Sequence, residues 1–129
     1  MCKVHESYEN YLKAIYLISK KNKGGWVSNS GISDFLHVKP PSVTNMLYKL
    51  KAEELIDWKP RKSLRLTKKG KKIAQDIFRS YKNLCDFFRD VLKLENNNLI
   101  KKLSCEIEHH LTPEVSNALK ELLLEYLEN

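Results

Sequence analysis

Residues 38–50, VKPPSVTNMLYKL, decide how this chain reads. The two prolines suit the first turn of a helix, where the missing N–H would be unbonded anyway and the fixed φ is pre-organised. After them Val43, Met46, Leu47 and Leu50 recur along one face, and Ser42, Asn45, Tyr48 and Lys49 along the other. Upstream, Ile32, Phe35 and Leu36 repeat the apolar spacing on a shorter scale, with only residues 37–39 between. The pattern predicts a helix, a tight turn and a second helix. Small polar side chains and a lysine on the outer face suit the floor of a DNA major groove, although an ordinary packed pair of helices can carry the same pattern.

The next stretch, residues 55–67 (LIDWKPRKSLRLT), changes period. Ile56 and Trp58 alternate with Asp57, Leu64 and Leu66 alternate with Arg65, and Lys59-Pro60-Arg61-Lys62 sits between them as a hairpin tip. A two-stranded wing directly after a helix-turn-helix favours DNA over a packed pair. A basic tip there would meet phosphate, while its bland alternative is a solvated turn.

Working outward, Tyr8, Tyr11, Leu12, Ile15 and Ile18 fall on one face of a first helix expected from residue 5 to about 21, closed by KKNKGG. Ser28 or Ser30 is placed to cap the short second helix. Thr67 opens a long helix in which Ile73, Ile77, Tyr81, Leu84, Phe88 and Val91 recur, long enough to join two modules. A further helix carries Leu99, Ile100, Leu103 and Ile107. Thr112-Pro113-Glu114 restarts a last one, whose stripe Val115, Leu119, Leu122, Leu123 and Tyr126 either folds back or forms a dimer surface. The expected fold is mainly α: an N-terminal winged helix-turn-helix with a two-stranded wing (1–72), joined by the long helix to a C-terminal helical dimerisation domain (73–129).

The charge is divided between these halves. The chain of 129 residues has a net charge of +7, but residues 1–75 hold 16 Lys and Arg against 6 Asp and Glu, and residues 76–129 hold 7 against 10. A basic front half implies a polyanion, and duplex DNA fits better than a membrane because the cations do not line one amphipathic helix. No apolar run approaches membrane-spanning length, and MCKVHESYEN lacks a signal core, so a cytoplasmic protein is expected. Three cysteines, Cys2, Cys85 and Cys105, form no C-x-x-C pair. Their odd number argues for thiols rather than a disulfide framework.

One constellation carries coordination chemistry. At about 100° per residue, Cys105, Glu108 and His109 share a sector of roughly 100° facing away from the Leu99, Ile100, Leu103, Ile107 stripe. A thiol, a carboxylate and an imidazole at i, i+3 and i+4 can close on one divalent ion, with iron, zinc, cobalt or nickel preferred to magnesium or calcium. A solvated polar face with a half-buried cysteine is the alternative. A catalytic zinc would use similar donors, but no H-E-x-x-H, glycine-rich phosphate loop or Ser-His-Asp order accompanies them, and no enzyme is expected.

The order of ENYLKAIYLI (9–18), HVKPPSVTNMLYKL (37–50), LRLTKKGKKIA (64–74) and C-x-x-E-H-H (105–110) resembles the diphtheria-toxin-repressor and manganese-transport-regulator family of metal-dependent repressors, over nearly the whole chain. The resemblance implies a homodimer whose metal, bound between reader and dimerisation domains, activates binding to a palindromic operator. It implies metal ligands at Asn10, Cys105, Glu108 and His109. Asparagine stands where the family usually has methionine or aspartate, and the cysteine resembles the iron-responsive branch. Lys13 and Tyr81 occupy positions that hold a second ion in the manganese branch, so one ion per subunit is expected, Fe2+ or Mn2+, with Zn2+, Co2+ and Ni2+ also suiting the donors. By position and resemblance, Lys39, Pro41, Ser42 and Asn45 are expected at bases, and Thr44, Lys49, Arg61 and Lys62 at phosphates. The departures also allow a decayed metal site on a DNA-binding protein indifferent to metal.

Overall fold

The computed structural model describes residues 7–128, so the expected helix start at His5, and Cys2, lie outside the described residues. These residues form two compact units, one running to Gln75 and one beginning at Asp76.

In the first unit, α1 (Ser7–Lys21) ends at the KKNKGG stop, where Gly24 and Gly25 take φ of 74° and 75°, values a side chain would resist. Ser28, not Ser30, caps α2 (Asn29–Leu36), its Oγ accepting the Gly31 N–H at 3.0 Å. His37 turns the chain at φ 56°, and α3 (Pro40–Ala52) starts on its prolines with no side-chain cap from Lys39. Leu12, Ile15, Ile32, Val43, Leu47 and Leu50 have no exposed surface, so the apolar faces of the three helices meet as their spacing requires. Each such Leu or Ile contributes about 1.5–3 kcal/mol relative to exposure. Tyr8 adds a polar tie: burial, then the Glu53 carboxylate to which its hydroxyl donates, raise its phenol above the ordinary value.

The wing strands are shorter than the alternation suggests. Antiparallel β1 (Ile56–Asp57) and β2 (Arg65–Leu66) pair Ile56 with Leu66 and Asp57 with Arg65. Leu64 pairs instead with Val27, exchanging two 2.8 Å backbone bonds, so the segment before α2 braces the wing. Thr67 caps α4 (Lys68–Asp86), accepting the Gly70 N–H at 3.1 Å while donating to the Glu54 carbonyl at 2.8 Å. The turn is tight: a Cβ on Gly70 would lie 2.0 Å from the Leu55 carbonyl oxygen.

In the second unit the long helix is not α to its end. Residues Phe87–Val91 widen into a π turn, with Leu92 N–H donating to the Phe87 carbonyl, before Lys93 at φ 59° breaks it. Asn96 caps α5 (Asn97–Glu108), and Thr112 with Pro113 opens α6 (Pro113–Glu128). Ile100 is buried as expected; Leu99 is not, at 42% exposure. On α6, Ser116, Leu119 and Leu123 turn inward, with Ser116 Oγ 2.9 Å from Ser80 Oγ of α4, while Val115, Leu122 and Tyr126 stay exposed.

Candidate metal centre and nucleic-acid interface

The last turn of α5 places Cys105, Glu108 and His109 so that one ligand atom from each lies within 4.8 Å of the others. The polar-face alternative fails on burial: Cys105 is 9% exposed, and the Glu108 and His109 side chains are 0% and 3% exposed. Glu108 Oε1 and His109 Nε2 are 3.9 Å apart, beyond hydrogen-bond length. A carboxylate removed from water is costly to ionise without a cation close by, and thiolate, carboxylate and imidazole together suit a divalent transition metal. The residues present therefore fit such an ion. Beside them, Ser104 Oγ is fully buried with no hydrogen-bond partner, a second polar group turned inward on the same helix.

Two features of the centre escape the spacing argument. Tyr81 of α4 reaches it: burial, then the Cys85 sulfur with which its hydroxyl hydrogen-bonds, then the Glu108 carboxylate, push its phenol far above the ordinary value. A large neutral phenol thus stands next to Glu108. The expectation of thiols throughout also needs correction. Cys85 is a free thiol, but Cys105 is disulfide-bonded in this structure. Sulfur ligates as thiolate, so the metal-binding form is the reduced one. Asn10, the remaining expected ligand, is buried in α1 of the first unit at 6% exposure.

On the first unit Lys39, Pro41, Ser42, Asn45 and Lys49 are all exposed along α3. Thr44 differs, because its hydroxyl donates to the Pro40 carbonyl at 3.2 Å and accepts from Asn29 Nδ2 at 3.0 Å, tying the start of α2 to α3. In the wing tip the Lys62 N–H closes a turn on the Lys59 carbonyl, with Pro60 second and Arg61 third at φ 66°. That third position favours glycine. An arginine held there at a conformational cost points to a use for its charge. Arg61 and Lys62 are both exposed. Among the described residues no helix is long and apolar enough to cross a membrane.

Comparison with known proteins extends over the same two regions. Residues 3–64 match the family model for the iron dependent repressor N-terminal DNA binding domain, and residues 67–128 the model for the iron dependent repressor metal binding and dimerisation domain. A helix-turn-helix transcriptional regulator of Methanocaldococcus jannaschii is 31% identical over 115 residues, covering 89% of this chain and 90% of its own. The regulator MntR of Shouchella clausii is 29% identical over 123 residues, 95% of this chain and 83% of its own. The solved structure of the manganese regulator SloR superposes with a TM-score of 0.74 at 28% identity over 90% of this chain. It covers 53% of that protein, so the chain spans about half the length of this structural relative.

Proposed function

The chain belongs to the iron-dependent repressor family of DNA-binding transcriptional regulators, which are not enzymes, and from that premise we propose that it represses metal-uptake genes by binding a palindromic operator as a metal-loaded cytoplasmic homodimer. The observation that carries the metal dependence is the burial of Cys105, Glu108 and His109 with their ligand atoms turned together. A decayed site would not keep a carboxylate and an imidazole out of water in register with a sulfur.

Glu108, His109 and reduced Cys105 would hold the ion, and the family pattern adds Asn10 as a further ligand. We assign one Fe2+ or Mn2+ per subunit, because Lys13 and Tyr81 replace the donors a second ion would need. A bound divalent cation would offset the charge on the Cys105 thiolate and the Glu108 carboxylate. Holding these ligands together is worth about 1–3 kcal/mol to the DNA-competent arrangement, and by reciprocity duplex DNA tightens metal binding by the same factor.

Lys39, Pro41, Ser42 and Asn45 are assigned to bases, and Lys49, Arg61 and Lys62 to phosphates. Thr44, with its hydroxyl already engaged, orients α3 beside them. The exposed Val115, Leu122 and Tyr126 of α6 are assigned to the partner copy, since two readers one DNA turn apart match a palindrome.

The test is a gel shift on a palindromic duplex selected by the protein, with reductant present, titrated with Fe2+, Mn2+ and Zn2+. Chelation abolishes binding, and Cys105→Ser or Asn10→Ala raises the metal concentration required by at least about tenfold. Metal-stripped protein that binds as firmly as before establishes the metal-indifferent regulator instead.

A further inference from the structure

Between α2, α3 and the wing lies an open cleft of about 660 Å³, and Tyr48 stands on its α3 wall. At about 100° per residue, Pro41, Asn45 and Tyr48 fall within about 60° of one another, so Tyr48 shares the outer face of the reader. It is 50% exposed, yet its ring is not loose. Trp58, 7% exposed at the base of the wing, meets it edge to face, with centroids 4.9 Å apart and planes at 76°. Such pairs add about 0.5–1.5 kcal/mol beyond area burial. The half-exposed phenol is therefore held at a fixed place between reader and wing.

The chemistry of the cleft identifies what it receives. Its walls carry the hydroxyls of Ser30 and Tyr48, the Asn29 amide and the cations of Arg61 and Lys62, and no carboxylate. Hydroxyls, amides, Arg and Lys all contact phosphate, and a cleft with two cations and no carboxylate suits an anion. Position along the helix agrees. The N-terminal residues of a recognition helix reach base edges, and Tyr48 lies two turns beyond Pro41, where the helix leaves the groove floor.

Resting on the DNA-binding reading above, we propose that Tyr48, braced by Trp58, donates its hydroxyl to a backbone phosphate of the duplex as one strand passes through the cleft between α3 and the wing. The contact is neutral and sequence-blind. It sets how deeply reader and wing seat together without choosing the operator. Trp58 acts through Tyr48 as a positioning residue.

The experiment uses full-length, metal-loaded protein and two labelled duplexes of equal length, one selected by the wild type from a random pool and one of random sequence. Tyr48→Phe keeps the ring against Trp58 and removes only the hydroxyl. It is expected to weaken both duplexes by the same factor, about tenfold for a hydrogen bond to a charged group. The ratio of the two affinities stays fixed. So does the salt slope, because a neutral donor displaces no counterion, whereas Arg61→Ala lowers that slope by about one unit. Trp58→Phe gives an intermediate loss on both duplexes.

A changed ratio for Tyr48→Phe makes the residue a base reader and overturns the proposal. Unchanged affinity for both duplexes reduces Tyr48 to a packing contact and also overturns it. Wild-type protein that selects no duplex sinks the DNA-binding reading itself, an outcome distinct from either.

Discussion

The two units differ in which side chains lose all contact with solvent. In the first, the residues with no exposed surface are hydrocarbon, among them Leu12, Ile15, Ile32, Val43, Leu47, Leu50 and Leu64. In the second, Ser104, Cys105 and Glu108 are buried as well as Leu84, Ile100 and Leu123, while Leu92, Val115, Leu122 and Leu124 are about half exposed. A core closed by hydrocarbon is complete in itself. A unit that exposes several leucines leaves apolar area for another surface to cover.

The largest effect should come from breaking the complete unit at its tightest point. Gly70→Ala drives a Cβ into the Leu55 carbonyl, which belongs to the chain entering the wing and cannot rotate away as a side chain could. A loss of more than about 3 kcal/mol is expected, in the range of strain at a special backbone position. Chemical denaturation followed by circular dichroism reads it. A loss below about 1 kcal/mol would show that α4 slides freely over the wing, and the first unit would then be less tightly closed than its burial implies.

A smaller effect should follow from the open unit's exposed face. Val115→Glu with Leu122→Glu places charge where the partner copy is proposed to dock, and costs the isolated chain little because both residues are about half exposed. Sedimentation should show dimerisation weakened at least about thirtyfold, the equivalent of burying one more large apolar side chain. The denaturation midpoint of the first unit should not move. A dimer that persists unaltered puts the interface elsewhere.

The same contrast explains what could be read from the sequence. The reader was legible because propriety of spacing there is local: prolines start α3, three- and four-residue recurrence fixes its buried face, and a period change marks the wing. Val27 was not legible as a bracing strand, since one residue pairing with Leu64 leaves no periodicity. In the second unit the trio Cys105, Glu108, His109 was visible as a spacing, but its direction was not. The Leu99 stripe suggested the trio faced out, and only packing shows both sides of α5 covered near its end. The π turn at Phe87–Val91 likewise has no signal in composition, because the same residues continue an α pattern equally well.

The smallest expected effect compares one device used in both units, the hydroxyl cap. Ser28 Oγ accepts the Gly31 N–H at 3.0 Å at the head of α2, and Thr112 Oγ1 the Val115 N–H at 3.3 Å at the head of α6. Replacing either with alanine removes the cap, worth about 1 kcal/mol, and at Ser28 also an exposed contact with Ser30 Oγ at 3.3 Å. In the first unit Ile32 and Leu36 lock α2 into the shared core, so the loss in Ser28→Ala should appear in full as global stability. In the second, Pro113 still pre-sets the first turn of α6, and that turn packs through little more than Ser116. Thr112→Ala should therefore cost less globally and show as faster amide exchange confined to the first turns of the helix. If Thr112→Ala lowered global stability as much as Ser28→Ala, α6 would be as firmly seated as α2, and the second unit would not be open.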